Sequence, residues 1–315
     1  YSISAELSGR LDAGTLRGDQ SGFTKKQRYY RRKDRQGVDM RIYISIDMEG
    51  MPGTFNWEHE RSDRASVRAC CMAHVTDCLN SILASEQAAQ ITAITIADSH
   101  SAGDNLYYGI TALDERISLI SGGPRPHYMM PAFDGSYDLV FLLGYHAGTG
   151  TLKANMDHTY SNSRIQKIWI NDIRMNEAMI NSAYAGYHGV PVALISGDKA
   201  LEAEMQEAMP WLQYVRTKEA VAKFAALNYS QTAVQKALHQ AVTNALKANN
   251  LPLYSFPAPF TLKIEFHSTA MADVACLMPY VKRLDGRSVE FTDSDYGTIF
   301  EAIMALVTLA STAAI

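Results

Sequence analysis

The stretch Arg41-Ile-Tyr-Ile-Ser-Ile-Asp47-Met-Glu49-Gly50 decides how this chain is read. Its compact β-branched run predicts a buried strand, and the strand stops at an acid. Two more apolar runs end the same way: ITAITIAD (91–98) leads directly to His100, and YDLVFLLGYH (137–146) ends on His146. Parallel strands of an α/β sheet deliver side chains to their carboxyl edge in this manner. ISLISG (117–122), IQKIWIN (165–171) and VPVALISGD (190–198) add strands, with helices between Arg61 and Gln87 and from about Asn176. The alternation predicts a mostly parallel, doubly wound sheet, an α/β domain over residues 40–200. Beyond it, helices are expected over Ala200–Ala208, Lys218–Ala226, Gln231–Asn249 and Ile299–Ala310, with strands at TLKIEF and SVEFT. These compose a second, smaller α+β domain over residues 201–315.

With 315 residues, 47% hydrophobic and 20% charged, the composition is that of an ordinary globular protein, not a collagenous or disordered one. A formal net charge of -4 gives no electrostatic reason to expect nucleic acid or an anionic membrane as partner. Four cysteines do not resemble the framework of a small secreted domain, so a reducing, cytoplasmic setting is expected. The apolar run Ile303–Ile315 falls short of the about 20 residues a membrane span needs. Residues 1–39, with the basic cluster Lys25–Arg35, are read as an extension outside the folded unit, disordered or non-native. They lack the apolar segment of a secretory signal.

The strand ends carry the chemistry. Asp47 and Glu49 are i and i+2 in an extended backbone and point to one side, presenting two carboxylates from one strand tip. An Asp with both oxygens engaged can bridge two metal ions roughly 3.5 to 4 Å apart. His100 and His146 would add imidazoles from neighbouring tips, His158 is near enough to swing back, and Glu177 opens a helix. Each has an ordinary alternative reading as a surface acid, a satisfied histidine or a helix-dipole acid. Their joint occurrence points to a hydrolytic site for zinc or a similar divalent ion, because carboxylate and imidazole ligands occur without thiolate.

IDMEG (46–50), DSH (98–100) followed by Asn105-Leu106, LGYHA (143–147), His158, INDIRMNE (170–177), GYHGVPV (186–192) with SGD (196–198), and IEF with LMP (264–279) occur in this order. Together they resemble the DppA-type zinc-dependent D-aminopeptidases, from Met40 nearly to the end. The resemblance implies two Zn2+ per subunit: Asp47 bridging, Glu49 and His100 on one ion, His146 and Glu177 on the other. It implies His158 as the catalytic histidine beside metal-activated hydroxide, and removal of N-terminal D-amino acids such as D-Ala from short peptides. A homo-oligomer, a decameric ring enclosing the active sites, is also implied.

The ligand positions match the family pattern; His74, Thr76 and Lys199 depart from it. Cys70, His74 and Cys78 at i, i+4 and i+8 span about 12 Å of helix, too far for one ion, and read as core. HERSD (59–63) lacks the second His of a metalloprotease helix, no G-x-S-x-G elbow occurs, and His267 reads as structural. Two rival functions remain: a metal-dependent hydrolase of a related amide or phosphoester, and a non-catalytic, metal-stabilised peptide-binding ring.

Overall fold

The computed structural model describes residues 39–313, and the expectations for the N-terminal extension lie outside the described residues. In chain order the elements are β1 (Met40–Ile46), α1 (Trp57–Ser62), α2 (Arg64–Leu83), β2 (Ile91–Asp98), β3 (Ile117–Ile120), β4 (Leu139–Tyr145), β5 (Ile165–Ile170) and β6 (Ile173–Arg174). They continue as α3 (Glu177–Tyr187), β7 (Val192–Asp198), α4 (Lys199–Ala208), β8 (Gln213–Ala222), β9 (Ala225–Asn228) and α5 (Gln231–Lys247). The last are β10 (Phe260–Phe266), α6 (Thr269–Ala275), β11 (Lys282–Arg283), β12 (Ser288–Asp293) and α7 (Tyr296–Ala310).

Seven strands form the larger sheet in the order β3-β2-β1-β4-β7-β8-β9. All its pairings are parallel except β8 with β9. The chain winds outward from β1 through β2 and β3 on one side, and through β4, β7 and β8 on the other. That reversal makes the crevice between the carboxyl ends of β1 and β4 the place where an open α/β sheet holds ligands. The expected mostly parallel α/β sheet is observed.

Period-two alternation assigns the faces. Ile42, Ile44 and Ile46 of β1, with Leu139, Phe141 and Leu143 of β4, pack into a core shared with α2 and α5. Tyr43, Val140, Leu142 and Tyr145 face a second core completed by α3, α4 and α7. Both faces of the sheet are thus covered, which is why its strands read as near-continuous apolar runs.

The smaller sheet is antiparallel, in the order β11-β12-β10-β5-β6, and packs on α6 and α7. Its strands β5 and β6 come from residues 165–174, whereas β8 and β9 of the larger sheet come from residues 213–228. The helix expected over Lys218–Ala226 is not formed; the segment is the end of β8, a turn and β9. Its alanines and lysines favour helix in isolation, but Val215 and Lys218 pair with Ser196 and Asp198 of β7, and this ladder overrides the propensity. No described helix is long and apolar enough to cross a membrane.

At the switch point the loops leaving β1 and β4 touch backbone to backbone. Asp47 N donates to Leu143 O at 2.8 Å and Gly50 N to Gly144 O at 2.7 Å. A Cβ on Gly50 would lie 1.8 Å from Tyr145 O, and one on Gly144, whose φ is +75°, would lie 2.3 Å from Asp47 O. Gly50→Ala and Gly144→Ala are each expected to destabilise the protein by at least about 1–3 kcal/mol. The measurement is a lower urea midpoint at unchanged slope; an unshifted midpoint would contradict this account of the crevice.

Candidate metal centre

Each strand tip holds its side chain by a local device. Past β1, Thr54 Oγ1 lies 2.8 to 3.3 Å from the carbonyls of Met51, Met48 and Glu49 and folds the Asp47–Met51 turn. Lys218 of β8 is wholly buried and donates to Thr54 O at 2.5 Å and Oγ1 at 2.8 Å, while Thr217 Oγ1 reaches Gly50 O at 2.7 Å. Past β2, Asp98 accepts from the backbone N–H of Asn105 and Leu106, and Asn105 Nδ2 donates to His100 O at 3.0 Å. This closes the loop that presents His100.

His146 follows β4 and donates Nδ1–H to Ala147 O at 3.0 Å, which turns Nε2 toward Asp47 and Glu177. His158 lies in a loop tied on three sides. Asn155 N donates to Asp198 Oδ2, Met156 N to Lys223 O, and the His158 ring itself donates Nδ1–H to Met156 O at 3.0 Å. Glu177 is the first residue of α3, capped by the Asn176 side chain, and accepts from Tyr160 N at 2.6 Å.

The six side chains predicted from sequence converge into two triads. Asp47, Glu49 and His100 offer donor atoms all within 4.8 Å of one another, as do His146, His158 and Glu177. Asp47 stands between them: Oδ1 is 3.0 Å from His100 Nδ1 and Oδ2 is 3.3 Å from His146 Nε2. His146 and His158 stack with centroids 4.2 Å apart at 6°. Beside the triads is a cavity of about 150 Å³ whose walls include Ser101, Tyr128, Met129 and Tyr160.

Three carboxylates in so small a buried volume need positive charge. Burial alone would raise the Glu49 pKa, but His100, hydrogen bonded to it, brings it well below the usual range, and Glu177 is lowered in the same way by His146. Conversely, burial opposes charge on His100 and His146, yet the facing carboxylates raise both well above 6.5. Asp47 Oδ2, Glu49 Oε2 and His146 Nε2 are buried without a hydrogen-bond partner, although they point at one another's triads. Carboxylate oxygens and imidazole nitrogens left bare in this way fit a pair of divalent ions, and the absence of sulfur suits zinc.

Sequence reasoning missed residues that support the ligands. Trp57 Nε1 donates to Glu49 Oε1 at 2.7 Å, Glu60 Oε1 is 3.1 Å from His100 Nε2, and Lys218 is a buried lysine whose pKa burial pushes down to about 7. No metal or helix-cap signature marks them. His74 is buried against Ser196 Oγ at 2.8 Å with its pKa lowered by burial to about 4, and Cys71 and Cys78 are buried. Lys199 pairs with Glu219 at 2.9 Å, and His267 is exposed.

Comparison with known proteins agrees with this geometry. The D-aminopeptidase family profile (Peptidase M55) matches residues 40–305. A curated D-aminopeptidase of Bacillus subtilis (strain 168) is 28% identical over 284 residues, spanning 86% of this chain and 98% of the relative. A solved structure, the Zn-dependent D-aminopeptidase DppA from Bacillus subtilis, described as a self-compartmentalizing protease, superposes with a TM-score of 0.81 at 26% identity. That match covers 88% of this chain and 100% of the other. The chain belongs to the D-aminopeptidase family.

The histidine shifts fix the sign of a pH dependence. With folded pKa values above 6.5, His100 and His146 contribute stability that is complete below pH 6.5 and lost as pH rises through the folded values. Glu49 and Glu177, lowered from 4.5, contribute above that pH and lose their contribution as it falls through their folded values. Chelator-stripped protein is therefore expected to lose thermal stability as pH rises above about 6.5, and zinc to restore it with release of protons. Unfolding midpoints with and without zinc from about pH 5 to 9 check this; a stripped-protein midpoint that climbs above pH 6.5 contradicts it.

Proposed function

We propose, on the premise of this family membership, that the protein is a dinuclear zinc aminopeptidase removing N-terminal D-amino acids, such as D-Ala, from short peptides. The observation that carries the reading is the pair of triads with Asp47 between them, one oxygen toward His100 and the other toward His146, beside a small cavity. Two bound zinc ions would polarise the scissile carbonyl and make hydroxide available at neutral pH.

The chain's own residues supply the rest. Asp47 would hold both ions, with Glu49 and His100 completing one set and His146 and Glu177 the other. His158 keeps Nδ1–H on Met156 O, so Nε2 faces the centre, 3.9 Å from Glu49 and 3.6 Å from Glu177. There Nε2 takes the proton that the attacking water gives up as its oxygen bonds to the carbonyl carbon, and passes it to the amine as the bond between that carbon and nitrogen breaks. Tyr128, Met129 and Tyr160 wall the space beside the ligands, so the first residue's side chain must be small. A second reading of His158, as a third ligand of its triad, is favoured by its proximity to His146 and Glu177.

The partners are short peptides, with neither nucleic acid nor membrane. Likeness to a self-compartmentalizing protease supports a homo-oligomer, and we place the active sites inside a decameric ring. Four free cysteines, two of them buried thiols, accord with a cytoplasmic setting.

The zinc-loaded protein is expected to release D-Ala from D-Ala-first dipeptides, more slowly from L-first ones, and not at all after chelation. His158→Ala is expected to hold two zinc ions while kcat falls about 10²–10⁴-fold. Loss of one ion would assign His158 to the ligands. Hydrolysis of only non-peptide amides or phosphoesters would favour the related hydrolase, and no turnover with peptide bound would favour the scaffold.

A further inference from the structure

We infer that α1 is the positioning element of the first triad, with Trp57 and Glu60 fixing Glu49 and His100 from behind and thereby setting the affinity of one ion of the pair. The inference rests on the two-ion reading above. Trp57 and Glu60 are three residues apart, so they share one face of the helix. Trp57 engages one oxygen of Glu49, and Glu60 the ring nitrogen of His100 that faces away from Asp47. Trp57 Nε1–H holds Glu49 Oε1 at 2.7 Å and leaves Oε2 buried and bare. Glu60 Oε1 sits 3.1 Å from His100 Nε2, while Nδ1 of the same ring is 3.0 Å from Asp47 Oδ1 and 3.1 Å from Glu49 Oε2. With an ion bound, Nε2 would keep its proton toward Glu60 and Nδ1 would turn its lone pair to the centre.

A carboxylate receiving the second N–H of a ligand histidine fixes ring orientation and tautomer and raises the basicity of the other nitrogen. Glu60 is itself held: its side chain is 13% exposed and Arg64 Nη1 lies 3.1 Å away. Arg64 and Arg68, in the first turns of α2, both pair with Asp104, four residues past His100, so the start of α2 joins Glu60 and the His100 loop in one cluster. The start of α1 is fixed by Asn56, whose side chain accepts from Glu58 N at 2.8 Å. The contact of α1 with the second triad is the Trp57 ring, whose centroid lies 5.3 Å from that of the His158 ring. Its influence is accordingly one-sided.

The test is stepwise zinc binding by competition with a chromophoric chelator, on the full chain and at fixed pH. Wild-type protein is expected to bind two ions. Trp57→Phe keeps the ring against Phe224 and His158 and removes only the N–H; Glu60→Ala removes the acceptor. Each is expected to weaken one binding step about 10–100-fold and leave the other unchanged. Glu60→Gln keeps a carbonyl for Nε2–H and is expected to recover most of the loss, and it serves where Glu60→Ala lowers the unfolding midpoint of the metal-free protein. Equal weakening of both steps, or of neither, overturns the inference. Fewer than two ions on wild-type protein instead removes the two-ion reading, and this inference with it.

Discussion

Confined negative charge organises this molecule. Asp47, Glu49 and Glu177 are each nearly inaccessible to water and lie within a few ångströms of one another. Such a group is tolerated only where cations or protons answer it. In the metal-free chain His100 and His146 do so by holding protons more tightly than free imidazole. Divalent ions do it better, because they need no proton and meet bare lone pairs on both sides of Asp47. Folding and metal binding are thus one electrostatic problem, since most of these groups meet only when the tips of β1, β2 and β4 are side by side.

The sheet solves the problem by topology and the periphery refines it. Adjacent parallel strands put three tips in one crevice, and α3 brings Glu177 to it with its N-terminal dipole already favouring an acid. The β8–β9 hairpin, outside the crevice, anchors two of its loops. Lys218 and Thr217 hold the turn behind Glu49, and the Lys223 carbonyl holds Met156 two residues before His158. Several wall residues, Ser101, Tyr128 and Tyr160, have positive φ without being glycine. Backbone strain of this kind persists only where surrounding contacts determine it, and here it lies around the cavity.

Much of this was legible in the sequence for a definite reason. A buried parallel strand ending in a ligand is a local pattern, so β1, β2, β4 and β7 could be placed, and with them Asp47, Glu49, His100 and His146. What failed was information that is not local. The segment Lys218–Ala226 has helical composition and became strand because β7 carries β8 as far as Lys218 and the rest folds back as the β8–β9 hairpin. The run IQKIWIN looks like any other strand, and nothing in its periodicity says that it joins β10 in the smaller sheet. Trp57 and Glu60 are unremarkable in WEHERS; their role comes from a loop that brings the helix over Glu49 and His100. A buried lysine such as Lys218 has no sequence signature at all.

The contact between the Asp47–Gly50 and Gly144–His146 backbones limits what a substitution can change. The two backbones touch directly at Gly50 and Gly144, so a side chain added at either position can only push them apart. The cavity walls at Tyr128, Met129 and Tyr160 are side chains, open to change one residue at a time without moving that contact. The separation of the two triads is set by backbone, because altering it means moving the loop after β1 and the end of β4 together.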